Sequence, residues 1–387
     1  DESADPRTGL LKTLMPVLAD GHRDAPGDEA AQSTTDRILA RYLVETPLDP
    51  AKVTDYTGYM AIVNMYDGLT TVSPAGEIVP HLAKSWEISP DGLTYTFHLR
   101  DDIKFHTTDY FTPTRDLNAD DVVFSINRAK SPVSTFSVYA NAEGPSNLVV
   151  GLIKPENITT PDDATVVFKL ERPFAPFMSV TPIFTALNQK LVETNATADD
   201  KWGETYVGEH SAGSGPYKLV SYNRSADMVI DRNPDYFLGW TKGKPIDEVR
   251  FVQTSDDATV KALAEKGELG LSSHGLGNDT YEAIGKMDGY KLIQTRTAGG
   301  FVIKLNTKVY PTDDVHVRRA IAYATDYKTI QEVIYPGFDM KGPLSDAFKD
   351  AHNDGIEPGV FDLEKAKEEL AKSKYAGQPI TLVNSYV

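Results

Sequence analysis

The chain has 387 residues, 40% of them hydrophobic and 10% aromatic, enough apolar material for two or three domains with real cores. Its 56 acidic and 39 basic residues leave a formal charge of -17, which repels phosphate backbones and anionic lipid heads and argues against nucleic acid as a partner. The absence of cysteine excludes disulfides, thiolate catalysis and Cys-based metal centres, and no apolar run approaches the ~18 residues of a membrane-spanning helix.

Residues 1 to 35 are punctuated by Pro6, Gly9, Pro16, Gly21, Pro26 and Gly27 and read as an irregular arm. Ile38 to Val44 reads as a first strand, Leu48-Asp49-Pro50 as a turn, and Met60 to Tyr66 as a helix ending at Gly68. Tyr95, Phe97 and Leu99 alternate with Thr94, Thr96 and His98, and Ser89-Pro90-Asp91-Gly92 supplies a tight turn from the Trp86 to Ile88 segment, so a hairpin is predicted. Asn118 is placed to cap a helix with Asp121 at its third position; Val122, Val123, Ile126 and Ala129 fall on one stripe, and Ser131-Pro132 stops it.

Further along, Val166 to Leu170 alternates as a strand, and the turn-rich runs Gly213-Ser214-Gly215-Pro216-Tyr217 and Arg232-Asn233-Pro234-Asp235-Tyr236 are both expected to open strands. A turn over Gly239 to Lys244 precedes a strand at Val249 to Val252. Asp313 or Asp314 caps a helix whose apolar side carries Ile321, Ala324, Ile330 and Ile334, with Pro336-Gly337 as its stop. Asp362 caps a helix over Leu363 to Lys374, with Leu363, Ala366 and Leu370 aligned and Gly377 beyond, and Ile380 to Val387 reads as a final strand.

Enzyme signatures fail residue by residue. Ser214 lacks the flanking glycines of a nucleophile elbow, the eight histidines include no His-x-x-x-His pair, and Gly275-Leu276-Gly277 lacks the third glycine of a dinucleotide loop. The acidic pairs Asp101-Asp102, Asp120-Asp121, Asp256-Asp257 and Asp313-Asp314 all sit at turns or helix starts, where capping explains them. No catalytic, metal-ligating or cofactor-binding residue is assigned.

Several of these stretches, in order, resemble one family. Leu69 to Glu77, PHLAKSW at Pro80 to Trp86, DGLTYTFHLR at Asp91 to Arg100, KFH at Lys104 to His106 and NADDVVFS at Asn118 to Ser125 are similar to the signature region of solute-binding proteins of the bacterial peptide and nickel class, family 5 of the ABC importers' receptors. The TPLDP turn, RPFAPF at Arg172 to Phe177, the GSGPY and RNPDY pair, Phe301 to Asn306 and DDVHVRRAIAYATD from Asp313 extend the resemblance over residues 36 to 387. The insertion Pro113 to Asp121 looks most like dipeptide-binding members.

The resemblance implies an α/β, type II periplasmic-binding-protein-like fold with two lobes. Residues 36 to 68 and 179 to 298 form the first lobe, 69 to 178 a small inserted domain, and 299 to 387 part of a second lobe, since the chain stops at Val387 where relatives continue. It also implies a ligand site from Thr54, Asp55 and Tyr56 after the LDP turn, Tyr139 (with Phe136 as the registry alternative) and Asn306. Each has an ordinary alternative: a loop entering a helix, a core aromatic, and a turn-forming asparagine. The implied role is an exported, monomeric receptor, periplasmic or outside the cell at the membrane. It takes a peptide, closes about a hinge and hands its cargo to ABC permease subunits, without chemistry and without a cofactor. Oligosaccharide, nickel chelate and haem are alternative cargoes within the family; a carboxylate-dependent hydrolase and a ligand-free interaction module are the rival classes. The start at Asp1, without a basic-then-apolar leader, is what a mature exported protein or a trimmed polypeptide shows.

Overall fold

The computed structural model describes residues 37 to 41, 48 to 53, 56 to 73, 76 to 130, 153 to 224, 226 to 240, 246 to 252, 254, 256 to 272, 276 to 293, 303 to 334, 342, 352 to 353, 355 to 357 and 359 to 382. They fall into two units, divided between Ile293 and Gln294. The expected N-terminal arm lies outside the described residues.

In chain order the first unit contains β1 (Arg37–Arg41), α1 (Tyr56–Met65), β2 (Thr70–Val72), β3 (Ile78–Pro80), β4 (Ala83–Ile88), β5 (Thr94–Leu99), α2 (Ala119–Lys130), β6 (Ile158–Asp162) and β7 (Thr165–Lys169). There follow α3 (Gln189–Thr194), β8 (Tyr217–Asn223), β9 (Asp227–Arg232), β10 (Glu248–Val252), α4 (Asp257–Glu265), β11 (Leu271–Ser272) and α5 (Asn278–Gly285). One sheet is antiparallel with order β4-β5-β7-β6; the other has order β11-β1-β10-β9-β8, with β1 parallel to both of its neighbours.

The expected hairpin is β4 and β5, in register from Trp86 opposite Phe97 to Ile88 opposite Tyr95. Tyr95, Phe97 and Leu99 are buried while Thr94, Thr96 and His98 are half-buried, so the alternation read in the sequence is the alternation of the two faces. Asp91 holds the turn by accepting from the Leu93 N–H at 3.0 Å, and the Ser89 hydroxyl accepts from the Thr94 N–H at 2.8 Å.

Helix α2 starts and stops where its caps predict, but the cap works in the opposite direction. Asp121 reaches back to accept from the Asn118 N–H at 3.1 Å, the third-position half of a capping box, whereas the Asn118 Oδ1 has no partner among the described residues. The same buried carboxylate accepts from the Arg115 guanidinium and from the Gln189 N–H of α3. Charge-assisted bonds from three segments outcompete a single amide oxygen for the geometry of this turn.

The apolar side chains of the first unit sort into two principal cores. Leu69, Tyr95, Phe97, Leu99, Val122, Ile126, Phe168, Phe177, Phe184 and Ala186 belong to one, under the four-stranded sheet. Leu48, Ile62, Met65, Tyr66, Leu187, Leu191, Tyr217, Met228 and Val249 belong to the other, with the five-stranded sheet. Among the described buried side chains the second core is left after Tyr66 and rejoined at Leu187, with the partly buried Phe111 and Phe124 packing against it in between. Exit and return are stitched together by an antiparallel bridge between Gly68 and Thr185 and by the Ala186 N–H donating to the Asp67 carbonyl at 3.2 Å. A Cβ on Gly68 would stand 2.1 Å from the Pro182 carbonyl oxygen, so only glycine permits this approach. Phe177 and Phe184 pack on β5 and β7, with ring centroids 4.4 Å from Tyr95 and 5.8 Å from Phe168 respectively.

RNPDY departs from expectation: Arg232 closes β9, and among the described residues no strand begins until Glu248. Pro234 has no N–H for a ladder and the Asn233 side chain accepts from the Asp235 N–H at 3.2 Å, so the backbone turns away.

In the second unit α6 (Val315–Ala324) packs on α7 (Leu363–Lys372). Asp314 caps α6 through the His316 N–H at 2.8 Å, and Asp362 caps α7 through the Lys365 N–H at 2.9 Å. The expected continuous helix from Asp314 to Ile334 breaks after Ala324, because Thr325 is extended and Asp326 caps a fresh turn by accepting from the Thr329 N–H at 3.0 Å. Val317 and Ala320, rather than Ile321 and Ala324, are the buried side chains of α6. Of α7's expected stripe only Ala366 is buried; Leu363 and Leu370 are exposed. Residues 380 to 382, expected in a strand, are outside any strand, and 383 to 387 lie outside the described residues.

Glu369 on α7 lies 2.7 Å from Lys372 and 2.8 Å from His316. These partners, Lys372 foremost, hold its carboxyl down at about 2 from an ordinary 4.5. Its folded value is depressed, so its contribution is complete above about pH 4.5 and is lost as pH falls through about 2. Acid titration followed by circular dichroism should show Glu369→Gln removing part of the pH dependence in that window, and no change on substitution would remove Glu369 from the account of this helix pair.

Candidate functional site

Of the residues to which the resemblance assigns ligand contact, Thr54, Asp55 and Tyr139 (with Phe136) lie outside the described residues. Tyr56 is the first residue of α1, and its side chain is likewise outside them. What the structure defines is how the segment leading into Thr54 is held. Asp49 accepts from the Ala51 N–H at 3.0 Å through its side chain and from the Lys52 and Val53 N–H groups through its carbonyl. Its carboxylate takes both ends of the Arg128 guanidinium of α2, at 2.8 and 2.7 Å, with both side chains fully buried. Arg128 donates in addition to the Trp202 carbonyl at 2.9 Å, and the Leu48 N–H to the Gly208 carbonyl at 2.9 Å. A bidentate pair of this kind fixes direction as well as distance, so the 48 to 53 turn has one orientation toward α2.

A second buried carboxylate collects several of the motifs read in the sequence. Asp67 Oδ1 lies 2.8 Å from His81 Nε2 and accepts from the Tyr236 hydroxyl at 3.1 Å, while Oδ2 accepts from the Ser214 hydroxyl at 2.8 Å. His81 comes from PHLAKSW, Ser214 from GSGPY and Tyr236 from RNPDY. An ionised carboxylate in this setting needs several donors to replace water, and three loops far apart in the chain supply them. Ser214 donates to Asp67 rather than to His81.

The GSGP loop sits directly on the end of α1. The Gly215 N–H donates to the Met65 carbonyl at 3.0 Å, and a Cβ on Gly213 would stand 1.9 Å from that carbonyl oxygen. His106 closes the other side: its N–H donates to the Gly213 carbonyl and its ring Nε2 lies 2.9 Å from the Gly215 carbonyl. The α1 helix, which begins at Tyr56, is thus anchored at its far end by the Asp67 cluster. Sequence reasoning named these motifs but missed the collecting residue; the signal available was an acid immediately before the Gly68 stop of a helix, where a dipole argument disfavours it.

In the second unit Asn306 is exposed and forms a turn. Its Oδ1 accepts from the Lys308 N–H at 2.9 Å and its carbonyl accepts from the Thr312 hydroxyl at 2.7 Å. The Nδ2 amino group makes no hydrogen bond among the described residues.

Two predictions follow from the buried carboxylates. Arg128→Met should cost about 3 to 5 kcal/mol by leaving Asp49 charged and buried, and adding Asp49→Leu should recover part of it; urea unfolding of the three variants measures the coupling, and additive losses would refute it. Tyr236→Phe and Ser214→Ala should each cost about 1 kcal/mol, and Asp67→Leu more than their sum, because it leaves buried donors without an acceptor. An Asp67→Leu protein as stable as the native one would contradict this reading.

Comparison with known proteins gives the arrangement its family. The model of the bacterial extracellular solute-binding proteins, family 5 Middle, matches residues 77 to 386. The chain is 32% identical over 362 residues to heme-binding protein A of Haemophilus influenzae, covering 89% of this chain and 63% of that protein. It is 32% identical over 306 residues to the dipeptide-binding protein of Escherichia coli, covering 77% and 55% respectively. The chain thus spans less than two thirds of the length of these relatives. A periplasmic binding protein associated with an ABC transporter from Helicobacter pylori, solved with the peptide STSA, superposes with a TM-score of 0.72 at 28% identity, over 88% of this chain and 67% of that one. The architecture is the α/β fold of the type II periplasmic binding proteins. With two sheets joined through the Asp67 cluster and a family match over four fifths of its length, the chain belongs to the bacterial extracellular solute-binding proteins of family 5.

Proposed function

We propose that this protein is a receptor that captures a di- or oligopeptide and delivers it to an ABC importer outside the cytoplasmic membrane. The observation that carries the peptide reading is the likeness to the peptide-bound Helicobacter pylori protein over 88% of the chain, supported by relatives named for dipeptides and for di- and tripeptides at 30 to 32% identity over most of this chain. In this reading residues 69 to 178 form a small domain inserted into the first lobe, the second unit contributes to a second lobe, and cargo is enclosed by hinge closure. Thr54, Asp55, Tyr56, Tyr139 and Asn306 meet the ligand. The Asp49–Arg128 pair gives the first three a rigid approach, and the Asn306 turn leaves Nδ2 to donate to a peptide carbonyl. Main-chain recognition of this sort tolerates varied side chains when their pockets are hydrated. Haem is the second reading, favoured by the 32% identity to a protein named for heme binding.

Calorimetry of the full-length protein with a dipeptide, a tripeptide, haem and a nickel–histidine complex separates these cargoes. Saturable binding of the peptides and of neither other ligand is expected; binding of haem alone would overturn the peptide reading. Asn306→Asp keeps the oxygen that accepts from Lys308 and removes the amino donor, so it should weaken peptide binding by about 1 to 3 kcal/mol. Unchanged affinity would assign Asn306 to its turn alone.

A further inference from the structure

His106 is a member of the GSGP assembly whose surroundings oppose its protonation. Its ring Nε2 lies 2.9 Å from the Gly215 carbonyl; a carbonyl only accepts, so Nε2 carries the hydrogen and Nδ1 is the bare nitrogen. That Nδ1 is buried with no hydrogen-bond partner among the described residues, in a residue only 3% exposed. A second proton has nowhere else to go, and the N–H it creates has no acceptor among the described residues. The charged groups around the ring act against each other: the Asp67 carboxylate favours the imidazolium and Lys218 on β8 disfavours it. Asn233 and Tyr236, from the RNPDY turn, bring no charge; the former shares the Gly215 carbonyl through Nδ2 at 3.0 Å.

We propose that His106 is an acid-released clamp. Neutral, it fastens the 213 to 216 loop to the 103 to 106 segment; a proton on Nδ1 strengthens the Nε2–H bond to Gly215 but buries a charge and an unpaired N–H, and because that burial outweighs the bond, acid drives the ring out to water and frees the loop together with the Ser214–Asp67 bond. Burial foremost holds the folded-state ring down at about 4 against an ordinary 6.5. The folded protein therefore binds fewer protons than the unfolded chain between those values, and stability falls as pH drops from about 6.5 to about 4.

The test is nitrogen-15 NMR of the histidine rings in the intact protein, with urea unfolding from pH 7.5 to pH 4 for the native protein and for His106→Gln, whose amide donates to the same carbonyl without titrating. His106 is expected as the Nε2–H tautomer at pH 7 and to remain neutral to near pH 4. The native folding constant should fall across the window by roughly 100- to 1000-fold more than that of His106→Gln, as one ring shifted by two to three units requires. An Nδ1–H tautomer, titration near pH 6.5, or the same pH dependence in both proteins would overturn the proposal. Should His106→Gln fail to fold, the tautomer and titration of the native ring decide it alone.

Discussion

The first unit depends on the burial of one carboxylate at the point where the chain passes between its two cores. Tyr66 packs in one core and Leu69 in the other, and Asp67 lies between them with donors from His81, Ser214 and Tyr236. A charge buried there is tolerable only while all three loops are in place, so the correct packing of each loop is a condition on the others. The close approach at Gly68 tightens the same condition, since the outgoing and returning strands meet with no room for a side chain.

Three buried acids solve the same physical problem in different ways. Asp49 is neutralised by a single bidentate arginine, Asp121 by an exposed-side arginine plus two backbone N–H groups, and Asp67 by neutral hydroxyls and an imidazole. The first two involve helix α2, which through Arg128 and Asp121 positions both the 48 to 53 turn and the start of α3. A helix that reads in sequence as a simple amphipathic element is in fact the frame of the 48 to 53 turn.

Local structure was legible wherever one short stretch contained its own physics. Tyr95, Phe97 and Leu99 gave the strand, Ser89 to Gly92 the turn, and Asp314 and Asp362 the helix starts. Failures came where the deciding partner is distant. Arg128 has no sequence mark of burial, and its role appears only with Asp49, 79 residues away. The motifs holding His81, Ser214 and Tyr236 were each visible as turns or strand starts, yet nothing in one dimension says that one acid gathers them. The break after Ala324 was misread because an apolar repeat outweighed the capping chemistry of Asp326. Of the ligand residues, the resemblance supplied every assignment and the residues themselves only the alternatives; Asn306 as a turn former is the one alternative whose geometry is defined.

Native-state hydrogen exchange on Asp67→Asn tests the central claim most directly, because it reads both cores of the first unit in one experiment. If Asp67 couples them, amides of β5 and β7 under one core and of β8 and β9 in the other should lose protection together and by the same factor relative to the native protein. Loss confined to one sheet, with the other protected as before, would show that the two cores stand independently and that Asp67 is only a local cap.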